Sequence, residues 1–234
     1  MPTRSRQKRR RVAVITGTRA EYGLLRSTLE AIRDHPRLEL QLVVGGMHLL
    51  RKFGHTVDEI VADGWRIDVR VPMQTGSDDP TDQAVGLSRG VGAMACYFQR
   101  AGTDIVVVLG DRIEAMAGAL AAVTTGRLLA HIHGGDAAPG DFDDSLRHAI
   151  TKLAHVHLTA TRESARRVLR LGESPERMHV VGAPGLDRLR TLLEEASSRR
   201  RSATALIVQH AYGRPARVEE RVASLVLRAV TETG

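Results

Sequence analysis

The chain has 234 residues, enough for one sizeable domain and part of another, and 42% of them are hydrophobic, so a buried core is within reach. Aromatic residues supply only 3%, so that core must be Ala, Val, Leu and Ile, a mixture suited to β-branched strands beneath Ala/Leu helices. The net charge of +7 sits mainly at the start, where TRSRQKRRR (residues 3–11) runs without an acid through an arm, residues 1–10, expected to be disordered, and into Arg11; the body is near neutral, which argues against a basic nucleic-acid face.

Cys96 is the single cysteine, so neither an internal disulfide nor a CxxC metal site is available. No apolar run approaches membrane-spanning length, and the basic arm leads into a strand-like run rather than a signal-peptide core. A cytoplasmic protein without a membrane or nucleic-acid partner is expected.

In chain order, strands are predicted at Arg11–Thr16, Leu40–Val44, Ile67–Val71, Ile105–Leu109, Leu128–His131, His155–Leu158 and Met178–Val181. Helix-like stretches lie between them at Leu24–Asp34, Val57–Ala62, Thr81–Ala101, Ile113–Thr124, Ser145–Leu153 and Glu163–Leu171. Such alternation means βαβ units, and uninterrupted apolar strands such as IVVVL fit a sheet covered on both faces. The fold class is therefore α/β, a Rossmann-like doubly wound parallel sheet over residues 11–182. A connecting helix (Arg188–Ser197) and linker fill 183–203. A further strand (Ala205–Gln209) and helix (Val218–Thr231) over 204–234 read as the start of a second, truncated domain, since one strand and one helix bury no core of their own.

Ligands of parallel sheets bind at the carboxyl ends of strands, and three loops there have unusual contents. TGTRAEYG, Thr16–Gly23, offers a tight turn, helix N-terminal N–H groups and the cationic Arg19 to a phosphate; Thr18 and Glu21 also have capping-box spacing. GDRIE, Gly110–Glu114, places Asp111 beside Arg112; Asp111 and Glu114 again have capping-box spacing, so Asp111 is a base near a bound anion or a helix cap. HIHGGDAAPGDFDDSLRHAITK, His131–Lys152, is the most crowded. On a strand His131 and His133 would share a face like a metal pair, and His155 and His157 repeat the spacing, but no HExxH or cysteine completes a zinc set. Asp143 or Asp144 would cap the helix carrying Arg147 and His148. Three such loops at strand ends favour an anion-binding acid/base site over capping alone.

TGTRAEY, LGDRIEA, HIHGGD, DDSLRHAITKLAHVHLTAT, VGAPGLD and VQH, in order from Thr16 to His210, resemble the hydrolysing UDP-N-acetylglucosamine 2-epimerases of the sialic-acid pathway. The resemblance implies two Rossmann-like domains in a GT-B-like arrangement, a UDP-sugar in the cleft between them, a homodimer and no cofactor or metal. It implies conversion of UDP-GlcNAc to ManNAc and UDP through 2-acetamidoglucal. Asp111 and Asp143 match the family's catalytic carboxylates. Arg19 and Arg112 match UDP contacts, and His210 a nucleotide-binding histidine; Arg147 and His148 join the substrate-binding set. The animal-type motif has a catalytic glutamate where His133 stands, so His133 and Asp136 are both candidates for the acid. QHAYGRPA departs from the family's continuation after His210. The alternatives are a non-catalytic remnant or interaction module, an epimerase of UDP-2,4-diacetamido sugars, and, less favoured, a sugar-nucleotide glycosyltransferase.

Overall fold

The computed structural model describes residues 9–77, 79–137, 142–196, 206–208 and 215–233. Seven strands form one parallel sheet: β1 (Arg10–Thr16), β2 (Leu38–Gly45), β3 (Val69–Val71), β4 (Ile105–Leu109), β5 (Leu128–Ile132), β6 (Val156–Thr159) and β7 (Met178–Val180). Their spatial order is β3-β2-β1-β4-β5-β6-β7. The order reverses between β1 and β4, which leaves a crevice above their carboxyl ends. The helices are α1 (Arg19–Asp34), α2 (Val57–Ala62), α3 (Pro80–Ala101), α4 (Ile113–Thr124), α5 (Phe142–Leu153), α6 (Arg162–Arg170), α7 (Gly185–Ala196) and α8 (Ala216–Thr233).

Period-two alternation divides the sheet's side chains between two cores. Ala13 and Ile15 of β1 and Val106 and Val108 of β4 face Met94 and Phe98 of α3, the alanines of α4 and Ile150 of α5. Val12, Val14, Val107 and Leu109 point the other way, against Tyr22, Leu25 and Leu29 of α1 and Ile60 of α2. The doubly wound sheet read from the sequence is thus present. Gly118 lets α4 lie close on the sheet, because a Cβ there would meet Ile15 Cδ1 at 1.9 Å.

The expected strand at Ala205–Gln209 is not seen in its described part: Leu206–Val208 has no strand pairing and is exposed. A lone apolar run forms a strand only beside a partner edge, and its alternation alone cannot supply one. Helix α1 begins at Arg19, five residues before the expected Leu24, because the capping box of Thr18 and Glu21 starts it within the polar loop. Chain contacts separate Met1–Glu194 from Glu195–Gly234. No described helix is long and apolar enough to cross a membrane.

Leu25 is fully buried between α1 and the sheet. Leu25→Ala should lower the unfolding free energy by ~2–5 kcal/mol, from lost burial and the cavity left behind; urea titration followed by circular dichroism checks this.

Candidate functional site

The loops after β1, β4 and β5 meet at the carboxyl edge of the sheet, and a buried arginine joins the last two. Arg147, in the second turn of α5, is 8% exposed. Its Nη2 donates to Asp111 Oδ2, and its Nη1 donates to the Asp136 backbone carbonyl at 2.7 Å and lies 3.5 Å from Asp144 Oδ1. Burial pulls its pKa below the ordinary guanidinium value, so its acceptors must offset the lost hydration.

Asp111 therefore does not cap α4. The N-cap is Arg112, which has no side-chain capping bond, and Asp111's carboxylate goes to Arg147 instead. Asp143 and Asp144 are not caps either: α5 starts at Phe142, and both occupy its first turn, where negative charge suits the helix dipole. His148 Nε2 lies 3.7 Å from Asp144 Oδ2 and its ring is 39% exposed.

The two histidines of HIHGGD have different environments. His131 is fully buried on β5; its Nε2 lies 2.8 Å from the Gly110 carbonyl and its Nδ1 3.1 Å from Thr151 Oγ1. Burial drives its pKa down to about 4. It is a neutral strut, with both nitrogens committed. His133 lies beyond the strand with φ +65°, a left-handed backbone that turns it off the face of His131, so the HxH pair is not formed. His155 Nδ1 accepts from the Leu129 amide, while buried His157 points Nε2 to Glu173 at 3.2 Å, so that second pair is also structural. Among the described residues no group of three His, Cys, Asp or Glu could hold a metal ion.

His133 Nδ1 lies 2.6 Å from Asp136 Oδ2, and Ser164 Oγ donates to Asp136 Oδ1 at 2.6 Å. Gly135, at φ +79°, allows this approach, since a Cβ there would meet the Ser164 carbonyl at 2.2 Å. Sequence reasoning missed Ser164; its position as N3 after the Thr161 cap of α6 signals only a helix start.

In the first loop the capping box expected from the spacing of Thr18 and Glu21 is formed. The Gly17 and Thr18 amides donate to Glu21 Oε2 at 2.8 and 3.1 Å, so the capping box has taken N–H groups that the sequence offered to a phosphate. Arg19 is directed to Glu59 of α2, 3.1 Å away, rather than to the Arg147 group. A second residue missed by sequence reasoning lies beneath this loop. Glu114, fully buried in α4, accepts from Gln74 Nε2 at 3.0 Å and forms an ion pair with Arg112 Nε at 3.5 Å. It fills space that only glycine leaves: a Cβ on Gly17 or Gly46 would meet its side chain at 2.3 or 2.1 Å. Its spacing from Asp111 drew attention to a cap, not to burial. Arg112 also donates to Met47 Sδ and borders a cleft of about 280 Å³ with Gln74, Phe53 and Ser77. Thus Asp111, Asp136, Asp144, Arg147 and His133 are contiguous, Asp143 and His148 lie in the first and second turns of the same helix, and Arg112 adjoins Asp111. Arg19 stands apart, and His210 lies outside the described residues.

The profile of the UDP-N-acetylglucosamine 2-epimerases matches residues 30–219. The chain belongs to that family. It is 38% identical over 180 residues to the Legionella pneumophila UDP-N,N'-diacetylbacillosamine 2-epimerase (hydrolyzing), covering 77% of this chain and 48% of that protein. It is 36% identical over 178 residues to the Neisseria meningitidis UDP-N-acetylglucosamine 2-epimerase, covering 76% and 46% respectively. The fold matches a crystal structure of the Neisseria meningitidis UDP-GlcNAc 2-epimerase bound to UDP-GlcNAc, with a TM-score of 0.70 at 17% identity over 80% of this chain and 50% of the other. The chain spans about half the length of these epimerases. The relatives it matches are named as epimerases.

Glu21 yields a stability prediction. Burial, then repulsion from Glu114, lifts its pKa from 4.5 to about 7. A carboxyl raised on folding holds a proton that the unfolded chain has released, so its contribution is complete below pH 4.5 and lost as pH rises to 7. The loss amounts to about 3 kcal/mol. Buried His48 and His131, both lowered to about 4, slope the other way. The quantity to measure is therefore the difference between Glu21→Gln and wild type, which should shift by about 3 kcal/mol in the variant's favour from pH 4.5 to 7 in urea titrations.

Proposed function

We propose that the chain carries the acid–base machinery of a hydrolysing UDP-N-acetylglucosamine 2-epimerase, turning UDP-GlcNAc and water into ManNAc and UDP without a cofactor. The observation that carries the reading is buried Arg147, which draws the Asp111 carboxylate and the His133–Asp136 loop into one constellation at the β1/β4 crevice. A C2–H beside an anomeric carbon is a weak acid, so a positioned carboxylate must take the proton while a second group returns one.

Asp111 is assigned as the base, and Asp143, in the first turn of α5, as the second catalytic carboxylate. As the C2–H bond breaks, its electron pair forms the C1–C2 double bond and the C1–O bond breaks, releasing UDP and leaving 2-acetamidoglucal. The His133–Asp136 pair then protonates C2 from the other face, and water adds at C1. Developing charge on the departing diphosphate needs cations. Arg112, Arg19, His148 and His210 are assigned to the UDP, and Arg147 holds Asp111 in place while balancing its charge. The remaining organisation follows the same reading: a Rossmann-like domain over 11–182, a connector over 183–203, the opening of a nucleotide-binding domain from 204, a homodimer and a cytoplasmic location. The product fits a route to sialic-acid-like sugars.

A second reading keeps the chemistry and changes the sugar. It is favoured by the name of the Legionella relative, which acts on UDP-N,N'-diacetylbacillosamine.

Incubation with millimolar UDP-GlcNAc, or its 2,4-diacetamido counterpart, in D2O tests both readings by NMR. UDP release with deuterium at C2 of the free sugar is expected. Asp111→Asn should cut the rate by about 10²–10⁴-fold, the usual worth of a positioned base. A folded chain that releases no UDP from either sugar would leave an interaction module as the reading.

A further inference from the structure

Resting on the epimerase reading, we infer that His133, through Nε2, is the group that returns the proton to C2, with Asp136 and Ser164 acting as its positioning residues.

Asp136 is held through its carboxylate. A carboxylate is an acceptor only, and both of its oxygens are occupied. Oδ1 takes the Ser164 hydroxyl proton at 2.6 Å, and Oδ2 sits 2.6 Å from His133 Nδ1. The Ser164 hydroxyl is itself backed by Thr161 Oγ1 at 2.8 Å, while the Ser164 amide donates to that same Thr161 oxygen at 3.0 Å. A serine hydroxyl has one proton, and with that proton given to Asp136 it is Thr161 Oγ1 that donates to Ser164 Oγ. The chain of donors therefore runs one way and ends on a carboxylate without a proton, whose remaining neighbour must donate. That neighbour is His133 Nδ1–H. A ring pinned by Nδ1 to a carboxylate has its orientation and tautomer set, and its second nitrogen is the one left for proton transfer.

That second nitrogen is open, as are the buried Nδ1 atoms of His148 and His157, but only His133 has its other nitrogen on the Asp136 carboxylate of the candidate site. His133 Nε2 is buried and has no hydrogen-bond partner among the described residues, an arrangement that costs free energy unless something uses it. The backbone of His133 is left-handed at φ +65°, a conformation that is unfavourable in a non-glycine residue and persists only where surroundings enforce it. His131, two residues earlier on β5, has both nitrogens paired instead.

In the step itself, the π electrons of 2-acetamidoglucal form the new C2–H bond to the Nε2 proton, whose N–H electron pair stays on the imidazole. Water oxygen bonds to C1, and the proton it sheds restores the imidazolium. Asp136 balances the imidazolium charge without giving up a proton.

Two readouts on the full chain test this. Long-range ¹H–¹⁵N spectra should show the neutral His133 ring protonated at Nδ1; Ser164→Ala should weaken and Asp136→Ala abolish that preference. With UDP-sugar, His133→Asn, which tolerates the left-handed backbone, should still release UDP but accumulate 2-acetamidoglucal, with free sugar formed at least 100-fold more slowly. Ser164→Ala should lower kcat about 10-fold with KM unchanged, and Ser164→Thr should restore it. An Nε2-protonated ring with bare Nδ1 in the wild type, or free sugar formed at the wild-type rate by His133→Asn, would overturn the assignment and make Asp136 the acid. Absence of UDP release from the wild-type chain would instead overturn the epimerase reading, and the role at C2 with it, whatever the tautomer.

Discussion

A buried guanidinium organises the carboxyl edge of this sheet. Removing an arginine from water costs several kcal/mol, which acceptors at both Nη groups of Arg147 offset, although its buried Nε has no partner among the described residues. Arg147 collects its acceptors from three places: the turn after β4, the loop after β5 and its own helix start. The positions of Asp111 and of the Asp136 backbone are thus not independent, because both answer to one cation. The planar guanidinium does this by directing its two Nη groups to different acceptors in a fixed geometry.

Much of the scaffold was legible from the sequence, because apolar strands and capped helices are local signals. Ile105–Leu109, Val57–Ala62 and Ile113–Thr124 have the expected boundaries. Leu206–Val208 shows the limit, since a strand exists only with a neighbour. In the site, the loops were recognisable by content but their wiring was not. The interval between Asp111 and Glu114 suggested a cap, whereas the fold sends one carboxylate outward to Arg147 and buries the other beneath two glycines. Likewise HxH suggested a shared strand face, and the strand ends between the two histidines. Such choices depend on partners many residues away, which periodicity does not encode.

The same distance effect explains Ser164. Nothing about a serine in the first turn of α6 marks it as more than part of a helix start, and the Thr161 cap explains it locally. Only the parallel placement of β5 beside β6 brings the β5 loop over the start of α6. Anion recognition is affected by an equally local choice, because the capping box at Thr18 closes amides that an open helix end would have presented.

Glu114 has a mechanical consequence. Its side chain occupies the volume next to Gly17 and Gly46, so the turns after β1 and β2 rest on a single wedge. They are also stitched to each other: the His48 amide donates to the Gly17 carbonyl at 3.1 Å, and the His48 ring bridges Thr16 and Thr56 at 3.0 and 2.7 Å. Neither turn has slack of its own. A displacement that opened one would tear buried hydrogen bonds in the other, so this corner of the rim behaves as one stiff plate, and adjustment to a ligand falls to the side chains that stand on it.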